Sequence, residues 1–86
     1  MNLNRKLAKL RVDARMGTLK GRDLDRFARA INSMCNPGCV QLPGGKFAVH
    51  AARQGEDSLY FRLTDGVGIV MKISDIRSMT RYPTRP

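Results

Sequence analysis

The chain has 86 residues, with 16 Lys and Arg against seven Asp and Glu, a formal net charge of +9 and a pI near 10.6. That length suits one domain with one modest core, and 42% hydrophobic residues without polar low-complexity tracts exclude wholesale disorder. Eleven of the cations are arginine, whose planar fork of donors matches phosphate and carboxylate, so the partners this charge attracts are polyanions: DNA, RNA, acidic membrane surfaces or acidic proteins.

The start, MNLNRKLAKLRVD, interleaves cations with leucines and lacks the apolar core of a signal peptide. No apolar run approaches the roughly 18 residues of a membrane-spanning helix. The expectation is a cytoplasmic protein with reduced thiols and no membrane span.

The first predicted element is a helix over about 2–16. Leu3, Leu7, Leu10 and Ala14 fall within about 60° at 100° per residue, with Arg5, Lys6 and Lys9 on the opposite side. Asn2 or Asn4 can cap it, and Gly17 suits its end. GTLKGRD is a short connection. A second helix follows over 22–34, with Leu24, Phe27, Ala28, Ile31 and Met34 as its apolar stripe. Arg22, Arg26 and Arg29 form an i, i+4, i+7 row away from that stripe, with Asp25 spaced to pair with Arg29. Two such helices across a short loop predict an antiparallel hairpin.

After Met34 the period changes to two. Strands are expected at about 39–42, 46–53, 58–64 and 67–73, separated by PGG, QGED and DG turns. Phe47, Val49, Leu59, Phe61, Leu63, Ile69 and Met71 would face the helices, and His50, Tyr60, Arg62 and Lys72 would face outward. SDIRSMTRYP reads as one helical turn or a brief fifth strand, and residues 83–86 as a loose tail. The expected fold is a single α+β domain over 1–82, a helical hairpin on a three- to four-stranded antiparallel meander. The alternative is a small bent barrel with two N-terminal helices.

The stretch CNPGCVQLPGGKFAVH holds both cysteines and the only histidine. Cys35, Cys39 and His50 supply three ligands at most, one short of a structural zinc site. The Cys-x3-Cys spacing is not the Cys-x-x-Cys of dithiol redox chemistry, and a disulfide across CNPGC is disfavoured in a reducing cell. The stretch reads best as a helix-to-sheet joint. His50 has no sequence partner for general-base work, and LPGGK lacks the upstream glycine and following hydroxyl of a phosphate-binding loop. With no paired-carboxylate or nucleophile pattern either, the expectation is a protein without catalysis, metal or cofactor.

Residues 1–34 carry nine cations and three anions, so the binding surface is expected on the helices: Arg5, Lys6, Lys9, Arg22, Arg26 and Arg29. The outward sheet face, with Tyr60, Arg62 and Lys72, is a secondary candidate that could stack bases and contact phosphates. A helix-turn-helix is disfavoured, because proline and glycine stop the helices at two. The expected function is a small basic nucleic-acid-binding or regulatory module, with docking on an acidic host protein as the alternative. The short arginine-rich format would suit a phage or mobile-element accessory protein. A homodimer would arise if an uncovered sheet edge or face pairs with its own copy.

Overall fold

The computed structural model of the chain describes residues 8–11, 19, 21–76 and 78–85, with residues 8–11 and 78 described by their backbone course. In chain order the elements are β1 (Ala8–Arg11), α1 (Arg22–Met34), β2 (Cys39–Gln41), β3 (Phe47–Gln54), β4 (Ser58–Leu63), β5 (Gly68–Lys72), a single 3-10 turn (Ile73–Asp75) and β6 (Ser78–Tyr82). Five strands in the order β6-β2-β3-β4-β5 make an antiparallel sheet, and β1 adds at the β6 edge.

The expected helical hairpin is therefore wrong, and so is the barrel alternative with two helices. Among the described residues α1 is the only α-helix. Residues 8–11, assigned to the first helix, are extended and pair with β6 from Ala8↔Arg81 to Arg11↔Ser78. The rest of that predicted helix lies outside the described residues. The physical reason is visible in the stretch itself. Ala8-Lys9-Leu10-Arg11-Val12 alternates apolar with cationic residues, so it satisfies a period of two as well as of 3.6. Such a segment follows the pairing on offer, and β6 offers an edge. The second correction is the return of the chain. SDIRSMTRYP forms both the 3-10 turn and a strand, and β6 pairs with β2, the first strand of the meander, from Cys39↔Tyr82 to Gln41↔Thr80.

α1 covers one face of the sheet. Leu24, Phe27, Ala28 and Ile31 of the helix pack with Val40, Ala48, Ala51, Leu59, Phe61, Leu63, Ile73, Ile76 and Met79. β3 departs from strict alternation. Its pairing with β4 shifts between Ala48 and His50, so Ala48 and Ala51 both face the core while Phe47 and Val49 do not. A bulge inserts one residue and reverses the inward phase beyond it. Phe47 instead meets Tyr82, with ring centroids 5.3 Å apart.

Two of the hairpins use the same turn. Leu42 N–H donates to Lys46 C=O (2.7 Å) and Gly45 N–H to Leu42 C=O (3.0 Å); Leu63 N–H donates to Val67 C=O (2.8 Å) and Gly66 N–H to Leu63 C=O (3.0 Å). Each is a three-residue loop whose last position, Gly45 or Gly66, sits at φ 89°. A side chain would be strained there, which explains the glycine.

β2 is too short to cover all of β3, and α1 covers one of the residues beyond it. Asn32 accepts from the Ala51 N–H (2.7 Å) and donates to the Ala51 C=O (2.8 Å), so one amide side chain takes the place of a neighbouring strand at a buried residue. Arg53 joins the other end of the helix to the β3–β4 turn. Its guanidinium reaches Asp25 at 3.2 Å, Glu56 at 2.8 Å and the Gly55 carbonyl at 2.7 Å.

Candidate polyanion-binding surfaces

The apolar stripe of α1 fixes where its arginines go. With Leu24, Phe27, Ala28 and Ile31 buried, Arg22, Arg26 and Arg29 stand exposed on the opposite side, and Ser33 extends the same row. Asp25 does not pair with Arg29 as its spacing suggests, because Arg53 on β3 takes it. Among the described residues, the ion pair within the row is Arg26–Asp23, at 4.0 Å between two exposed side chains. Such a pair is readily exchanged for another anion. Lys9 lies in β1 at the edge of the sheet, not on a neighbouring helix, and Arg5 and Lys6 fall outside the described residues.

The secondary set is brought together. Tyr60 and Arg62 alternate with the buried Leu59, Phe61 and Leu63, so they face away from α1. Register then aligns His50, Arg62 and Gly68 across β3-β4-β5, Tyr60 with Val70, and Ser58 with Lys72. Tyr60 leans over Gly68, its ring filling the space a side chain there would occupy.

Not every arginine is available for binding. Arg53 is the clamp already described. Arg81 donates to the Met34 carbonyl (3.4 Å) at the C-terminal end of α1, where a cation complements the helix dipole. Arg85 donates to the Gly38 carbonyl (3.2 Å) and the Cys35 carbonyl (3.5 Å), so residues expected as a loose tail return to the helix-to-sheet joint. Sequence reasoning missed these three structural roles. Only the spacing of Arg53 to Glu56, i to i+3 across a turn, carried a local signal.

Cys35 and Cys39 are both free and buried, while His50 lies on the outer sheet face. Among the described residues no three of His, Cys, Asp and Glu converge as metal ligands would. Burial pushes the Cys35 thiol from its ordinary 9.0 up to about 11; Cys39 nearby adds to the rise, and Arg85 and the Val40 backbone offset part of it. Burial raises Cys39 as well, against Arg85. The fold thus holds the protonated thiol. Since the unfolded chain loses its proton first, this contribution is complete below about pH 9 and is lost as pH rises toward about 11. Urea unfolding at about pH 8 and about pH 10 should show wild type losing more stability over that interval than Cys35→Ala. Equal losses would mean that the thiol titrates alike in both states.

No family model, curated protein or solved structure matches the chain. Among the described residues no helix is long and apolar enough to cross a membrane.

Proposed function

We propose that the protein is a non-enzymatic nucleic-acid-binding module that engages phosphates through the arginine row of α1. The observation that carries this reading is the diversion of Asp25. Arg53 holds it at 3.2 Å, leaving Arg22, Arg26 and Arg29 as an exposed cationic row whose ion pair, among the described residues, is the exchangeable one between Arg26 and Asp23. Seven residues of helix span about 10 Å. One strand of a duplex presents about three phosphates over that length of axis. The row is therefore matched in length and charge to a short stretch of backbone. Nothing about it reads bases, so the expected binding is of the backbone type, tolerant of sequence.

Fluorescence anisotropy with labelled duplex DNA, single-stranded DNA and RNA of one sequence tests this. Neutralising three phosphates of a duplex predicts affinity roughly 40-fold weaker at 200 mM than at 50 mM salt. Absence of binding to all three probes at 50 mM salt would sink the reading. A stoichiometric protein partner that is recovered from nuclease-treated lysate and lost when Arg22 and Arg26 are reversed to glutamate would point instead to docking of an acidic protein on the row.

A further inference from the structure

The sheet ends, among the described residues, at β5, and β5 has few of the devices that protect an edge. It contains no proline, its pairing with β4 runs without a register shift from Ser58↔Lys72 to Arg62↔Gly68, and its one charge is Lys72 at its end. The exposed large hydrophobic residues of the described chain are Val67 (52%) and Val70 (55%), one just before this strand and one at its centre.

The hydrogen-bond phase of the edge follows from its two ends. Leu63 N–H donates to Val67 C=O, and Ile73 N–H donates to Asp57 C=O at 2.8 Å. Antiparallel ladders alternate bonded and non-bonded pairs, so the odd-numbered residues of this stretch bond inward to β4. The N–H and C=O groups of Gly68, Val70 and Lys72 then point outward, and the side chains of Val70 and Lys72 lie on the outer face with Tyr60 and Arg62.

We propose that the β5 edge captures an extended segment of an acidic partner protein, which adds to the sheet as a further antiparallel strand. The chemistry along the edge sets the pattern of that segment. The residue opposite Lys72 meets an ammonium group and is acidic. The residue opposite Val70 meets exposed aliphatic surface and is aliphatic. The residue opposite Gly68 finds no side chain there; it meets the Tyr60 ring that covers the glycine, with Arg62 in the next position across the sheet, and is acidic again. The motif is acidic-x-aliphatic-x-acidic. Charge separates this occupant from a second copy of the chain, since two copies at +9 repel while an acidic segment is drawn in. The backbone bonds supply affinity and the alternate side chains specificity. This inference is independent of the arginine row on α1.

The test uses the full chain and a fluorescein-labelled, end-blocked heptapeptide with threonine at its odd positions and glutamate, valine and glutamate at positions two, four and six. Binding should shift and protect the amides of Gly68, Val70 and Lys72 in nitrogen-15 spectra. Val70→Pro removes one outward N–H and no bond to β4, a substitution that edge strands tolerate, and should weaken the peptide roughly tenfold or more. Lys72→Glu should also weaken it and should favour a peptide with lysine in place of glutamate; this arm stands even if the proline variant fails to fold. No peptide binding to wild type, or equal binding by wild type and both variants, overturns the proposal. Concentration-dependent dimerisation by sedimentation, lost in Val70→Pro without peptide binding, would assign the edge to a second copy and overturn it too.

Discussion

Asn32→Leu is expected to destabilise the protein by about 2–4 kcal/mol, because it leaves two backbone groups without partners while keeping the branched shape of the side chain. The Asn32 amide bonds both the N–H and the C=O of Ala51, a residue that is 1% exposed. Leucine can bond neither, and water has little access to either group beneath α1. A domain of this length has a total stability of about 4–13 kcal/mol, so the loss is a large share of it. Asn32→Asp should fall between the two, since a carboxylate accepts from the N–H but repels the carbonyl oxygen. Urea unfolding measures this: the midpoint should fall with the slope unchanged. A loss in Asn32→Leu below about 1 kcal/mol would show that Ala51 finds other partners and that the amide is not a substitute strand.

Asn32 also shows why part of the fold was hidden from the sequence. α1 was legible, because its stripe of Leu24, Phe27, Ala28 and Ile31 has a single period and glycine and proline bound it. The strands after Met34 were legible for the same kind of reason: Leu59, Phe61 and Leu63 alternate with polar residues, and the glycines mark the turns. What failed depended on contacts distant in sequence. Residues 8–11 fit two periods, and pairing with β6, about 70 residues away, decides between them. The bulge after Ala48 has no composition of its own, so strict alternation places Phe47 and Val49 on one face with Ala51 and turns Ala48 away, whereas Ala48 and Ala51 are the buried residues of β3. The candidate site divides along the same line. The exposure of Arg22, Arg26 and Arg29 follows from the helix period. The removal of Asp25 by Arg53, 28 residues on, and the fixing of Arg81 and Arg85 to the end of α1 do not.

Reversing Arg22 and Arg26 together to glutamate should weaken nucleic-acid binding by about a hundredfold or more at low salt, since two charge-assisted contacts are lost and repulsion replaces them. The slope of log affinity against log salt should become shallower by about two. The fold should barely respond. Both side chains are exposed, and glutamate at Arg22 sits in the first turn of α1, where a negative charge complements the helix dipole. Glutamate at Arg26 exchanges the Asp23 pair for repulsion from Asp23 and from the new glutamate one turn before it, but the two paired side chains are 76% and 63% exposed, so stability should move by only about 0.5 kcal/mol. Tyr60→Ala with Arg62→Glu is the matched change on the other surface. It removes the ring over Gly68 and the cation aligned with His50, and should alter binding far less than the helix pair. The opposite ranking, with the sheet pair abolishing binding and the helix pair leaving it intact, would move the site to the outer face of β3-β4-β5. Binding would then rest on stacking at Tyr60 as well as on phosphate contact, and would favour single strands, whose bases are free to stack, over duplex.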